Sequence, residues 1–356
     1  MASPGLAVSL EMIDCRTLAP RAPESDGAPQ VEVPPAVEQL DRETHASWGG
    51  GLTLEQYLRR ERVLRAVPFA RRGLRTWILR LEGAAVASCE SYETDVTASG
   101  RRGLGHGIAS VYVPAAHRGH GYASELLKRV HEVLRKEGVL LCFLMSEIGP
   151  TLYERLGYVG RPLMTRRFAA ASPQETHGAT PPWELLSEAQ VPAALQARKL
   201  PVRGLSIEAS PEHVLWHMAR GRYYAATLGR KAAQHVGAVA GAAGASAMAL
   251  WAPDYKDDLL RILTLYPGSR LAAPGAVFEP RSAEGEALRN VLHAGRSVAA
   301  ELGLSAIELW ENPHSSGYLR GGVRTEGKDV PMVLGLQSQP KVRGEEWLDY
   351  ERAHWL

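Results

Sequence analysis

Cysteine is scarce: Cys15, Cys89 and Cys142 are the three in 356 residues, and no two stand in a Cys-x-x-Cys spacing. That excludes a disulfide framework and a thiolate zinc site. The apolar runs around Cys89 and Cys142 mark them as small core residues rather than nucleophiles. No apolar run approaches the roughly eighteen residues of a membrane span, and the start lacks a basic-then-apolar leader. No membrane span is therefore expected, and a reducing cytoplasmic location is. Charge of one sign is lacking too: 41 Lys+Arg against 39 Asp+Glu leaves a net +2, with the basic residues scattered. Such a balance argues against a nucleic-acid partner. The densest basic stretch, Ala70-Arg71-Arg72-Gly73-Leu74-Arg75, reads as a solvated loop. Three catalytic signatures are missing as well: a Walker loop ending in Gly-Lys-Ser/Thr, a full Gly-x-Gly-x-x-Gly, and a Gly-x-Ser-x-Gly elbow. His213 and His217 fall on one helical face, but Val214 stands where a zincin needs glutamate, so no metal is expected.

What is present centres on one turn. Residues 107–114 (GIASVYVP) are apolar and β-branched enough for a buried strand. Residues 125–137, with Ala123 just before them, carry a helical stripe of Ala123, Leu126, Leu127, Val130, Val133 and Leu134, and Gly138 stands where a C-terminal cap belongs. Between them lies Arg118-Gly119-His120-Gly121-Tyr122-Ala123-Ser124. A glycine-bearing turn that opens a helix leaves backbone N–H groups unpaired and pointing one way, and the helix dipole favours an anion there. The ligand this arrangement suits is a phosphate. The pattern Arg-x-x-Gly-x-Ala, between a strand and a helix, resembles the coenzyme A pyrophosphate loop of the GNAT acyltransferase superfamily. His120 is read as pointing to solvent.

The length suits two domains. Strands are expected at residues 6–13, 76–81, 84–92, 107–114, 139–146 and 161–168, and helices at 36–45, from Leu54 onward with Thr53 as N-cap, at 125–137 and at 150–156. That succession follows the GNAT order and gives an α+β fold on a mixed sheet. Residues 169–182, small, polar and proline-rich, read as a linker. Beyond them, helices at 212–228 and 283–302 and strands at 233–240, 245–252, 259–266 and 306–310 repeat the later part of the first domain. The position matching the phosphate loop holds residues 267–275 (PGSRLAAPG), whose prolines do not suit an anion turn. The expected architecture is a tandem: residues 1–168 as the acyl-CoA-binding catalytic domain, and 183–356 as a degenerate GNAT-like domain without the loop. An unrelated α+β substrate domain is the other reading of the second half.

GNAT chemistry transfers an acyl group from a thioester to an amine. With a lysine pKa near 10.4, about one side chain in 2,500 is neutral at pH 7, a deficit of roughly 4.6 kcal/mol. Something must take or hold off that proton, and something must protonate the leaving thiolate. The segment Thr151-Leu152-Tyr153-Glu154-Arg155-Leu156-Gly157-Tyr158 is similar to the superfamily's tyrosine segment, which implies that the Tyr153 hydroxyl reaches the coenzyme sulfur. Tyr158 is read as a core ring with its hydroxyl at the surface. Two carboxylates stand open for the amine: Glu90, at the outer end of an apolar run, and Glu147, just past a strand.

Four blocks resemble the fungal lysine N6-acetyltransferase family of lysine catabolism and its bacterial relatives. They are residues 52–61 (LTLEQYLRRE), 87–92 (ASCESY), 107–124 and 143–153 (FLMSEIGPTLY), with residues 347–352 (WLDYER) similar to the family's tail. The resemblance implies acetyl-CoA or a longer acyl-CoA as cosubstrate and the ε-amine of lysine, free or in a peptide, as acceptor. It implies pyrophosphate contacts from Arg118, Gly119, His120, Gly121, Tyr122 and Ala123, and pantetheine contacts from the backbone of Val111, Tyr112 and Val113. It also raises Glu90 and Glu147 as site residues. The chain departs from the family at Glu147-Ile148-Gly149-Pro150, where the family has Asp-Ile-Gly-Lys. Ornithine or another small amine, or long-chain acylation of a peptide, is an alternative acceptor chemistry, and a silent acyl-CoA-binding protein is the alternative class. Asp254, Glu308 and Glu311 are offered for reading a second cationic group.

Overall fold

Local chemistry sets the helices of the first half. In a computed structural model describing residues 7–22, 24, 27–172, 175, 181–196, 204–242, 245–267, 281–311, 319–338, 347 and 351–354, strand β1 (Val8–Asp14) is followed by helices α1 (Pro35–Trp48), α2 (Leu54–Ala66) and α3 (Pro68–Gly73). Thr53 caps α2 as expected: its Oγ1 accepts from Gln56 N at 3.2 Å while Gln56 Oε1 accepts from Thr53 N at 2.8 Å. This reciprocal pair satisfies two donors that the helix start leaves open. Thr53→Ala is expected to lower unfolding free energy by about 1 kcal/mol in a denaturant titration.

Residues 70–75 are not a solvated loop. Helix α3 takes up Ala70 to Gly73, and Arg71 donates to the carbonyls of Leu18 (2.7 Å) and Arg16 (3.1 Å). Arg75 is buried and pairs with Glu137 at 2.7 Å and Glu93 at 3.1 Å. The run is basic because it ties backbone and acids together, a role that adjacency in sequence does not reveal.

Strands β2 (Arg75–Leu81), β3 (Ala84–Ala98) and β4 (Arg101–Tyr112) run on as a meander, longer than the apolar pattern suggests. Helix α4 (Tyr122–Lys136) buries Leu126, Leu127, Val130 and Leu134 completely. It ends as foreseen: Gly138, at φ +82°, lets Val139 N–H reach back to Leu134 O at 3.1 Å, a left-handed turn that only glycine takes without strain. Strand β5 (Leu141–Ser146), the short helix α5 (Thr151–Glu154) and β6 (Val159–Gly160) complete this stretch.

The expected closing strand goes elsewhere. Strand β7 (Met164–Ala169) pairs along its whole length with residues 306–311, and its other edge pairs with residues 323–326. Two ion pairs, Arg166 with Glu311 and Arg167 with Glu308 (2.5 Å), tie the first of these contacts across the ladder. Residues 161–168 therefore belong to the second unit. The first sheet is closed instead by chain from the far end. The main path runs β1-β2-β3-β4-β5, then strand β14 (Val330–Gly335), then β6. Leu336 N–H donates to Leu140 O at 2.9 Å, and Arg135 Nε donates to Leu336 O at 3.0 Å. One unit thus comprises residues 1–96, 102–160 and 332–344, and the other 97–101, 161–331 and 345–356.

The second unit contains the elements foreseen for it, and two strands in its sheet that were not, at residues 183–186 and 323–326. Strand β8 (Trp183–Leu186), helix α6 (Pro211–Thr227), strands β9 (Gly237–Ala240), β10 (Ala247–Asp254) and β11 (Leu259–Pro267), helix α7 (Ala283–Glu301), and strands β12 (Ala306–Glu311) and β13 (Val323–Glu326) follow in order. The sheet order is β8-β9-β10-β11-β12-β7-β13. β11 and β12 are parallel, joined by α7, whose buried face carries Ala287, Leu288, Val291, Ala294 and Val298. This half thus has a second mixed sheet with its own helices. The proline-rich stretch matched to the phosphate loop lies almost wholly outside the described residues, as do most of 172–180 and of the tail.

Candidate active site

Strands β4 and β5 separate at the site. They pair in parallel from Gly105↔Leu141 to Ile108↔Leu144, after which β4 continues to Tyr112 and β5 to Ser146 with no further rung among the described residues. Ser110 lies in this free stretch at φ +53°, a left-handed conformation that serine adopts at a cost. An edge of β4 backbone around Val111, Tyr112 and Val113 is thereby released from its neighbour. Tyr112 turns its ring to Trp48, edge-on at 6.0 Å.

The turn after β4 has the geometry of an anion cradle. Gly119 and Gly121 both stand at φ +79°, and Gly121 is the N-cap of α4 with no side-chain cap. The first intrahelical bond runs from Glu125 N to Gly121 O at 3.1 Å. The N–H groups of Tyr122, Ala123 and Ser124 precede it and have no carbonyl one turn back. Arg118 is exposed and donates from Nε to Val113 O at 3.1 Å, which bends the guanidinium across the start of the turn. His120 is exposed as expected, with Nδ1 2.8 Å from Arg118 O and its ring stacked on Tyr122 at 5.7 Å. Backbone donors, a helix N-terminus and one arginine together suit a diphosphate.

Tyr153 sits on α5, 5% exposed, its ring edge-on to Tyr158 at 5.8 Å. Its hydroxyl makes no hydrogen bond among the described residues. Burial, with Cys89 and Glu147 as neighbours, pushes the phenol up to about 12, so it stays a donor at neutral pH. Tyr158 differs from expectation: its hydroxyl is buried and hydrogen-bonded to His131 Nε2 at 2.9 Å. Burial holds that imidazole neutral by pulling it down to about 4.

The two open carboxylates have different surroundings. Glu90 does not end a strand, because β3 runs on to Ala98. Glu90 Oε2 accepts from Ser110 Oγ at 2.9 Å, and its Oε1 accepts from Arg65 Nη2 at 3.1 Å. Arg65 in turn grips Asp41 through two bonds of 2.7 and 2.9 Å. This chain, Asp41–Arg65–Glu90–Ser110, buried at Asp41 and Arg65 and half-buried at Glu90 and Ser110, reaches β4 at its left-handed residue. Glu147 is exposed in the turn after β5 and makes no hydrogen bond or ion pair among the described residues. Of the two, Glu147 is the carboxylate free to meet an amine, and it is an electrostatic neighbour of Tyr153.

Sequence reading missed Asp41, Arg65 and Ser110. One signal was available: Arg65 occupies the buried face of α2 with Tyr57, Leu58 and Leu64. A charge on an apolar stripe requires a buried partner.

The three cysteines are buried and free. Burial pushes Cys15 up to about 12 and raises Cys89 and Cys142 as well, which keeps these thiols unreactive. His213 and His217 are both buried, and among the described residues no three His, Cys, Asp or Glu side chains are placed to hold a metal ion. Nor does any described helix have the length and apolarity to cross a membrane. The acids offered for a second cation are already engaged: Asp254 and Glu308 with Arg261, Glu308 also with Arg167, and Glu311 with Arg166 and Arg324.

Residues 54–160 match the family described as "Acetyltransferase (GNAT) domain", and residues 170–328 match "LYC1 GNAT-like C-terminal domain". A "Lysine acetyltransferase" of Yarrowia lipolytica (strain CLIB 122 / E 150) is 27% identical over 157 residues, covering 37% of this chain and 40% of that relative's length. Among solved structures, a GCN5-related N-acetyltransferase from Kribbella flavida aligns with a TM-score of 0.52 at 16% identity, covering 92% of this chain and 71% of that one. A probable N-acyltransferase from Enterococcus faecalis V583 aligns at 0.52 and 10% identity, covering 93% and 73%. These two likenesses are of fold.

Proposed function

With both halves of the chain GNAT domains, the chain belongs to the GNAT acetyltransferases, and we propose that it transfers an acyl group from acyl-CoA to the ε-amine of lysine, free or within a peptide. The observation that carries this reading is the glycine-capped start of α4 beside a released β4 edge, with Tyr153 and an unengaged Glu147 near by. The amides of Tyr122, Ala123 and Ser124, with Arg118, hold the diphosphate. The β4 edge from Val111 to Val113 lines up the pantetheine amides as an added strand would. Glu147 attracts the substrate ammonium and takes its proton, directly or through water. The free amine attacks the thioester carbonyl, the carbon–sulfur bond breaks, and Tyr153 donates to the departing thiolate. Glu90 acts at one remove, holding Ser110 and hence the shape of the β4 edge. The lysine assignment draws on the named relative and on a free carboxylate where an ammonium would arrive.

Thiol release from acetyl-CoA in the presence of lysine, ornithine, a lysine amide and a lysine peptide tests the reading, and a second series with longer acyl-CoAs tests the donor. Lysine or its peptide is expected to give the highest kcat/KM. Thiol release with none of the amines, from protein that still binds CoA in calorimetry, would leave the silent binding protein standing instead. Glu147→Gln is expected to raise KM for the amine about tenfold, about 1.4 kcal/mol of lost binding, and to lower kcat about 100-fold through loss of the proton acceptor, with the KM for acyl-CoA unchanged.

A further inference from the structure

The second unit contains a cavity whose charge is unbalanced. Helix α6, the end of β10, β11 and Arg352 enclose about 20 Å³, open to solvent on one side. A cavity of that size admits one or two water-sized groups. Its lining includes three arginines, Arg220, Arg261 and Arg352, against one acid, Asp254. Arg261 is engaged by Asp254 at 3.2 Å, and by Asp257 and Glu308. Arg220 and Arg352 are not. Among the described residues neither makes an ion pair or hydrogen bond; Arg220 lies 5.8 Å from the ring centre of Tyr224, and Arg352 lies 5.2 Å from that of Trp310. Both are half-buried, and Asp254, with Glu308 for Arg352, offsets only part of the charge that the three guanidinium groups bring together. Burial and the neighbouring arginines accordingly pull Arg352 down to about 10.

An independent observation points into the same space. His217 lines the cavity at 6% exposure, and its Nε2 is buried with no hydrogen-bond partner among the described residues. Burial, with Arg352 and Arg220 beside it, holds this imidazole neutral. A buried ring nitrogen without a partner is uncommon in a folded protein unless something absent supplies one.

We propose that this cavity is a binding site for a carboxylate group, gripped by Arg220 and Arg352, with His217, whose Nδ1–H is taken by the Ala353 carbonyl, gaining a proton at Nε2 on binding so that it donates the third hydrogen bond. Arginine forks also grip phosphate, so tighter binding of inorganic phosphate than of acetate would overturn the carboxylate assignment. Shape favours carboxylate over a halide, because the guanidinium fork matches two coplanar oxygens. The carboxylate enters through the open side, with the rest of its molecule outside. It belongs to a small acid, a free amino acid, or the C-terminus of a peptide. The sign is opposite to that expected from Asp254, Glu308 and Glu311, which arginines engage.

Calorimetry and thermal denaturation of the full chain, in sodium acetate against sodium chloride at equal ionic strength, test this without any turnover assay. A failure here therefore leaves the acyl-transfer reading untouched. Acetate is expected to bind in the millimolar range and to raise Tm where chloride does not. Arg220→Gln, at a half-buried position, is expected to weaken acetate at least tenfold, and Arg352→Gln at least as much. Free lysine against lysine amide, and a peptide against its C-terminal amide, identify the source by which acid form binds in preference. Equal protection by chloride and acetate would overturn the proposal, and so would acetate binding unchanged in Arg220→Gln.

Discussion

Tyr153→Phe is expected to lower kcat about 100-fold and to leave the affinity for acyl-CoA within about twofold. The size follows from the chemistry: one positioned proton donor to a leaving group is worth about 10²–10⁴, or at least about 2.7 kcal/mol. Selectivity follows from the structure. The ring packs edge-on against Tyr158, and phenylalanine keeps that contact. The hydroxyl has no partner among the described residues, so removing it orphans no buried group and stability holds. The diphosphate contacts proposed above, Arg118 and the start of α4, are not touched by the substitution. The phenol is raised to about 12, so the loss is the same at pH 6.5 and pH 8.5 and the proton donor contributes no limb to the pH profile in that range. Single-turnover kinetics with acetyl-CoA and lysine, alongside calorimetric titration of CoA, separate the two quantities. An unchanged kcat would remove Tyr153 from the mechanism.

What the sequence reveals of this molecule follows the range of the forces involved. The strand–turn–helix around Arg118 is legible because its determinants are local: glycines at positive φ, an apolar stripe, and a glycine after the last turn all lie within some thirty residues. The same holds for Thr53 with Gln56, three residues apart. The partner of a strand is another matter. Residues 164–169 have the pattern of a strand, but nothing within them names residues 306–311 as their neighbour, and the first sheet takes residues 332–335 from the far end. Charge pairing is equally non-local. Glu90 and Glu147 look alike in sequence, and only the fold sets Arg65 and Ser110 against the first while leaving the second free. Asp254, Glu308 and Glu311 look like a cationic subsite until the arginines of β7 and β11 are brought beside them.

The same non-local pairing predicts the largest effect on stability. Arg65→Met lowers unfolding free energy at pH 8 by about 3–5 kcal/mol, the cost of removing one partner from a buried ion cluster. Arg65 is 4% exposed and Asp41 5%. Methionine fills the space, but Asp41, Glu61 and Glu90 then face one another without the cation that faces all three. In the native protein burial already pushes the Asp41 carboxyl up while Arg65 pulls it back. Without Arg65 the carboxyl rises further above its unfolded value, so between those two values the folded state binds more protons than the unfolded one. Stability of the variant therefore increases as pH falls toward 5.5 and decreases as pH rises, the slope having the sign of excess protons on the native state. Urea titrations of both proteins at pH 5.5 and pH 8 check this, with the deficit expected to shrink at the lower value. The variant is also expected to lose turnover beyond its loss of stability, since Glu90 no longer has the guanidinium that sets it against Ser110. Asp41→Asn leaves the Arg65–Glu90 contact in place and is expected to cost stability without that excess loss of kcat. Equal loss of kcat in both variants would detach the buried cluster from the shape of the β4 edge.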